Sequence, residues 1–301
     1  MVVRISPILE KWAFFMEKIA TSREARVYQV RNDVHIERII LMKIILIRHG
    51  DPDYLNDCLT EKGKREASLL AKRVAKWKVT DFYCSPLGRA LETASYSLIE
   101  TGRQATTYDW LQEFFHPVTD PVSGRNGVPW DFVPSFRTNE TFFYDRDTWF
   151  DAKVMKSAPD IREKYTEICT ALDNLIAKYG YIRDGGFYRV PGKKEVFIKE
   201  SAAPGSTTAP FNFDEDEDII VMFCHLGIIC VLLSHLLGIP FPLLPHSFYL
   251  APTSITILGS EERWSNEAAF RIQVAGDTTH LYNGGELVSC AGAYFSVLQE
   301  V

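Results

Sequence analysis

No apolar run in the 301 residues is long enough to cross a bilayer. The longest, Leu226 to Leu237, is broken by Ser234 and His235 and falls short of the roughly 20 residues a membrane helix needs. No two of the six cysteines, at 58, 84, 169, 224, 230 and 290, have C-x-x-C spacing, and four sit inside apolar runs. This argues against a clustered zinc site and implies buried free thiols in a reducing, cytoplasmic compartment. Positive charge is not in excess: 33 Lys and Arg against 39 Asp and Glu give a net charge of −6. The chain therefore lacks the electrostatic footprint of a nucleic-acid partner, although a local basic pocket is compatible with that balance. There is no internal repeat and no long linker. Trp12-Ala13-Phe14-Phe15 has charges on both sides and forms no secretory h-region.

The composition itself is ordinary, 46% hydrophobic and 13% aromatic, which excludes global disorder and suffices for one large core or two modest ones. Met42-Lys43-Ile44-Ile45-Leu46-Ile47 reads as the strand that opens a domain over 42–301. Residues 1–41 read as a peripheral extension, either a short helical appendage or an upstream reading-frame extension with Met42 as the start. Ile44 to Ile47 is a strand buried on both faces. A helix from Thr60 to Trp77 follows, capped by Thr60, and then a strand Val79 to Cys84. A helix Pro86 to Glu100 beginning with proline precedes a short strand Ala105 to Tyr108. Strand alternating with helix at this spacing predicts a parallel α/β sheet.

Regularity breaks over 114–157, which is rich in aromatics, proline and glycine and has the length of a lid or binding insert. Its aromatics read as the packing of that insert before they read as substrate stackers. A helix Ile161 to Tyr179 comes next, then a hairpin extension Tyr181 to Lys199 turning at Asp184-Gly185-Gly186, and a loop over 200–218. That loop ends in the contiguous acidic run Asp214 to Asp218, a solvated face by its spacing. Ile219 to Cys224 is the clearest buried strand, and Leu226 to Leu237 a helix closed by Gly238 and Pro240. Thr253 to Leu258 and Phe270 to Val274 read as the final strands.

His49 and His225 each follow a buried strand directly, the place where ligands bind in open α/β sheets. If those strands are parallel neighbours, the two imidazoles face each other. Arg48 and Arg89 add planar donor forks suited to phosphate oxygens, so the residues point to an anion pocket holding two histidines.

Five segments in order then resemble the histidine phosphatase superfamily, in its phosphoglycerate-mutase-like branch. They are Leu46-Ile47-Arg48-His49-Gly50, Leu59-Thr60-Glu61-Lys62-Gly63, Ser85-Pro86-Leu87-Gly88-Arg89-Ala90-Leu91-Glu92-Thr93-Ala94, Leu111-Gln112-Glu113 and Cys224-His225. The resemblance implies a three-layer α/β sandwich, a mostly parallel central sheet flanked by helices, with the aromatic-rich insert beside the site. It implies His49 as a nucleophile forming phosphohistidine, its other nitrogen held by a backbone carbonyl just after it. Arg48, Arg89 and His225 would hold phosphate oxygens, and Glu113 would act as general acid and base, raised in pKa by Trp110, Phe114 and Phe115. Asp51 and Asp109 are its substitutes. No cofactor and no metal are required, and the partner is a small phosphorylated substrate, with neither nucleic acid nor membrane. A homo-oligomer stays open.

Mutases of this family carry Asn six residues after the nucleophile; here Leu55 takes that place, with Asn56 one further on as the phosphate-binding candidate. Their F-T-G-W segment is also absent, and both departures favour a phosphomonoester hydrolase over a phosphotransfer mutase. Leu226 replaces the glycine often found after the second histidine, although Gly227 remains. The same residues are also compatible with a phospho-ligand binding protein without turnover, or with a metallohydrolase using both histidines. Among further histidines, His280 reads as structural or pocket rim, and His116 at the start of the insert reads as an ordinary residue before it reads as one that reaches substrate. His35 falls in the extension, and His235 and His246 have no partner in the sequence.

Overall fold

The computed structural model describes residues 41–191, 217–263 and 266–299. The expectations for residues 1–40, for the far part of the hairpin extension at 192–199 and for 200–216 lie outside the described residues. Eight strands form one sheet: β1 (Leu41–Arg48), β2 (Asp81–Cys84), β3 (Ala105–Thr107), β4 (Ile182–Asp184), β5 (Phe187–Arg189), β6 (Glu217–Cys224), β7 (Ile255–Arg263) and β8 (Glu267–Asp277). Their order is β3-β2-β6-β1-β7-β8-β5-β4. The first four positions pair parallel, as strand-helix alternation requires. From β1 outward to β7, β8, β5 and β4 the pairing is antiparallel, and within it β7 with β8 and β4 with β5 are each consecutive in the chain.

The helices α1 (Glu61–Val74), α2 (Gly88–Thr101), α3 (Ile161–Ala177) and α4 (Leu226–Leu237) make the outer layers. Alternation along β1 assigns the faces. Ile45 and Ile47 pack with Leu70 and Val74 of α1 and Ala90 and Ala94 of α2. Met42, Ile44 and Leu46 belong instead to the larger core with Leu172 of α3, Ile228 and Leu232 of α4, and Trp149 of the insert. The three-layer α/β fold is therefore the one expected. Cys84, Cys169, Cys224 and Cys230 are buried free thiols. Among the described residues no helix is long and apolar enough to cross a membrane.

Element ends differ from expectation for local reasons. α1 stops at Val74 rather than Trp77, with Ala75 as its cap. α2 starts at Gly88, two residues after Pro86, because the Asp57 carboxylate, distant in sequence, takes the Gly88 N–H at 2.7 Å. Asp218 belongs to β6 and not to a loop. The final two strands are longer than their apolar cores suggested and pair with each other from Ile255 to Glu267. The insert over 114–157 is a chain of short turns around Phe132, Phe143 and Trp149, all buried.

Two glycines join the end of β1 to α1. A Cβ on Gly63 would lie 2.3 Å from the Asp51 carbonyl oxygen, and one on Gly50 would lie 2.9 Å from that of Gly63. Thr60 caps the same helix, its Oγ1 accepting the Gly63 N–H at 3.1 Å and donating to Asp51 Oδ2 at 2.6 Å. Thr60→Ala is expected to cost about 1 kcal/mol by chemical denaturation, as a lost cap. Gly63→Ala is expected to cost about 3 kcal/mol or more, because its clash is with backbone. The opposite ranking would show that the start of α1 can shift freely.

Candidate active site

β1 and β6 are adjacent and parallel, and Arg48 stands opposite Cys224 at the last step of their ladder. From that step β1 runs to the β2 side through α1, and β6 runs to the β7 side through α4. The strands diverge at a topological switch point, where a crevice opens. His49 and His225 lie there with ring centroids 5.1 Å apart, at 1% and 0% exposure.

His49 Nδ1 is 2.7 Å from the Gly50 carbonyl oxygen. A carbonyl only accepts, so Nδ1 carries the proton and Nε2 keeps its lone pair. Burial, then the Arg48 charge, holds His49 well below the usual imidazole pKa, against the Gly50 hydrogen bond; Arg89 adds to the lowering. The ring is therefore neutral at pH 7. Burial, followed by the charges of His49, Arg89 and Arg48, also keeps His225 neutral. Its Nε2 is 2.8 Å from Ser85 Oγ, which also accepts the Leu87 N–H at 3.3 Å.

The two arginines are buried or nearly so and held from behind. Arg48 Nη1 donates to the Leu250 carbonyl at 2.7 Å. Arg89 Nη1 donates to Asp57, and its guanidinium lies 5.5 Å from the ring centre of Tyr54. Asp57 thus holds both the start of α2 and the side chain that α2 presents. Three buried nitrogens at this place have no partner among the described residues: Nε of Arg48, Nε of Arg89 and Nδ1 of His225. Polar groups taken from water and left unpaired are costly, and the two guanidinium donors here are readily explained by an anion that accepts them.

Glu113 enters from the start of the insert. Its Oε1 accepts the N–H of Phe114 at 2.8 Å and of Ile228, in the first turn of α4, at 3.2 Å. Burial nevertheless raises its pKa above the usual carboxylate range, against those two hydrogen bonds and the arginine charges. Gly227 makes the arrangement feasible: a Cβ there would lie 2.4 Å from the Trp130 ring and 2.5 Å from Glu113 Oε1. Gly227 therefore serves the close approach of Glu113 and Trp130.

Arg48, Arg89, Glu113, Tyr54 and Gln112 line a cavity of about 960 Å³ together with many aromatic residues. Asn56 is the candidate that the fold does not bring in. It is exposed, its side chain donates to Asp53 Oδ2 at 2.8 Å, and Tyr54 of the same loop lines the cavity instead. Asp51 is engaged by Thr60 and Ser289, and Asp109 is exposed on the short turn Asp109–Leu111. His280 is structural, bonded to Thr253 Oγ1 at 3.2 Å; the Thr253 N–H reaches the carbonyls of Arg48 and His49 at 3.1 Å each. His116 faces Asp160 at 3.6 Å and does not line the cavity. His235 pairs with Asp173 at 2.9 Å, and His246 lines the cavity wall. Sequence reading missed Tyr54, Asp57 and Trp130, and assigned Ser85 no role although it stands in the quoted S-P segment. Among the described residues no three His, Cys, Asp or Glu side chains are grouped to hold a metal ion.

The family model of the histidine phosphatase superfamily (branch 1) matches residues 44–120, the stretch that carries Arg48, His49, Arg89 and Glu113. Over that stretch the chain is similar to this superfamily. Among solved structures it is similar to a mycobacterial glucosyl-3-phosphoglycerate phosphatase, at 19% identity over 78% of this chain and 99% of that one, with a TM-score of 0.48. A structure titled mycobacterial hydrolase 2 shows 18% identity over 79% and 91%, with a TM-score of 0.49. Phosphoserine phosphatase of Entamoeba histolytica, in complex with 3-phosphoglyceric acid, shows 17% identity over 80% and 99%, with a TM-score of 0.47. No curated protein matches.

Gly227→Ala is expected to displace Glu113 while sparing Arg48 and Arg89. A displacement near 1 Å predicts a fall in kcat of about 100-fold. Inhibition by inorganic phosphate is expected to keep its constant within about threefold, and steady-state kinetics with phosphate as inhibitor measures both.

Proposed function

We propose that residues 42–301 are a metal-independent phosphomonoesterase that works through phosphohistidine at His49. The observation that carries the reading is the neutral His49, with Nδ1 bound to Gly50 and its lone pair on Nε2, beside three buried nitrogens without partners among the described residues. Nε2 attacks phosphorus as the bond to the leaving oxygen breaks, and the Nδ1 proton stays in its hydrogen bond to the Gly50 carbonyl. Arg48 and Arg89 offer their guanidinium donors to the non-bridging oxygens, so the charge of a loose transition state is balanced by side chains. With Ser85 Oγ donating to His225 Nε2, the His225 proton sits on Nδ1, ready for a phosphoryl oxygen.

Glu113 gives its proton to the departing alkoxide. Both of its hydrogen bonds fall on Oε1, leaving Oε2 for that transfer. As a carboxylate it then accepts a proton from the water that attacks the phosphoenzyme, the P–N bond breaks, and both side chains return to their starting states. The displaced position of Asn56 and the exposed Leu55 leave this loop without a side chain amide toward the phosphate, in keeping with hydrolysis rather than phosphate retention.

Incubation with a labelled phosphomonoester, chelator present, followed by a rapid quench at alkaline pH, is expected to trap base-stable label on the wild type. His49→Ala is expected to lose both the label and phosphate release. Label on His49→Ala would remove His49 as nucleophile.

The pH profile follows from the two shifts. His49 is competent when neutral, and its lowered pKa keeps it so well below pH 6.5. Glu113 is competent as an acid when protonated, and its raised pKa extends that form upward from the carboxylate range. The rate with an alkyl phosphate is therefore expected to hold on the acid side and fall on the alkaline side as Glu113 ionises. Glu113→Gln removes that alkaline limb and lowers kcat by about 100-fold or more, with a much smaller loss for p-nitrophenyl phosphate, whose leaving group needs no proton.

A further inference from the structure

Arg48, Arg89 and Glu113 are a minority of the residues that line the cavity, and the rest have a composition of their own. Three separate parts of the chain supply those walls: the insert with Trp130 and Phe132, the segment with Phe248 and Tyr249, and the C-terminal segment with Tyr294 and Phe295. The parts are tied together. Tyr294 OH donates to Asp131 Oδ2 at 2.7 Å, and the Phe295 ring packs edge-on to Tyr249 with centroids 5.3 Å apart. Phe248, Tyr294 and Phe295 are exposed, and exposed aromatic surface lining a cavity is what a binding site shows.

Size and charge narrow the ligand. At about 960 Å³ the cavity lies at the top of the range for small-molecule sites, and a three-carbon phosphate would leave most of it to water. Away from Arg48, Arg89 and Glu113, the acidic and basic side chains of the wall are Arg137, Asp131 and His246. Arg137 donates to the His246 carbonyl at 2.7 Å, Asp131 accepts from Tyr294, and burial lowers the pKa of His246, keeping it neutral. One cation balanced by one carboxylate is a poor receptor for a second anionic group. Aromatic faces instead favour a flat apolar ring.

We propose that this site selects phosphomonoesters whose leaving alcohol carries a bulky, uncharged ring system, with the ring held by the aromatic wall while the phosphate meets His49. The inference rests on the phosphatase reading of the same site. Small phosphorylated acids are then poor substrates.

Ethyl phosphate and 2-(1-naphthyl)ethyl phosphate test it, since both release primary alcohols of similar basicity and differ in the ring. Wild type is expected to favour the naphthyl ester in kcat/KM by at least about tenfold, and to favour it over O-phosphoserine as well. In the double variant Phe248→Ala, Phe295→Ala the ratio of the two kcat/KM values is expected to fall below about threefold. Turnover with equal kcat/KM for the two esters, a preference for O-phosphoserine, or an unchanged ratio in the double variant overturns the inference and leaves the phosphatase reading standing. Calorimetry on full-length His49→Ala separates the remaining cases. Tighter binding of the naphthyl ester without any turnover by wild type supports the aromatic site and overturns the phosphatase reading. Neither binding nor turnover overturns both.

Discussion

The His49 amide donates to the Cys224 carbonyl at 2.9 Å, continuing the parallel ladder of β1 and β6 one step beyond its last paired residues. The chemistry depends on this step. Two histidines more than 170 positions apart in the chain become neighbours because the ladder is parallel and in that register. A shift of one residue would turn every side chain of β1 to the other layer, so the hydrophobic pattern of the two strands sets the register and the register sets the distance between the imidazoles.

Around that step the site is held by contacts made behind the reactive groups. Gly50 supplies the carbonyl that orients His49, Leu250 holds Arg48, Asp57 holds Arg89, Ser85 holds His225, and the start of α4 holds Glu113. Side chains fixed in this way need little reorganisation during reaction, which is where preorganised electrostatics draw their strength. Burial acts on the two acid–base groups in opposite senses. It lowers the pKa of His49 and raises that of Glu113, so the same low-polarity surroundings favour the neutral form of each.

The aromatic insert has two parts. Phe132, Phe143 and Trp149 are buried in the larger core, as the sequence suggested for packing residues. Trp130 stands between core and cavity, against Phe241 on one side and close enough to α4 that only glycine fits at 227. The insert is thus anchored by the same core that carries the sheet, and it lines the cavity beside Glu113.

Much of the catalytic centre was legible in the amino-acid order. A continuous apolar run ends at Arg48-His49-Gly50, another ends at Cys224-His225, and the S-P and L-x-E segments carry Arg89 and Glu113. Short-range chemistry, the burial of β-branched runs and the capping of α1 by Thr60, decides such features, and it can be read along the chain. The start of α2 at Gly88 and the use of Gly227 could not be read that way, since each depends on a group far off in sequence, the Asp57 carboxylate and the Trp130 ring. Asn56 is drawn outward by Asp53 only three residues before it, a contact that the spacing permits but does not select. The antiparallel half of the sheet and the aromatic cavity were equally hidden, because apolar periodicity reports that a strand is buried but not which strand lies beside it. Sequence determined the reacting groups and the strands that present them. Tertiary packing decided their partners, their protonation and the shape of the space in front of them, because hydrogen bonding, burial and volume are properties of neighbours in space.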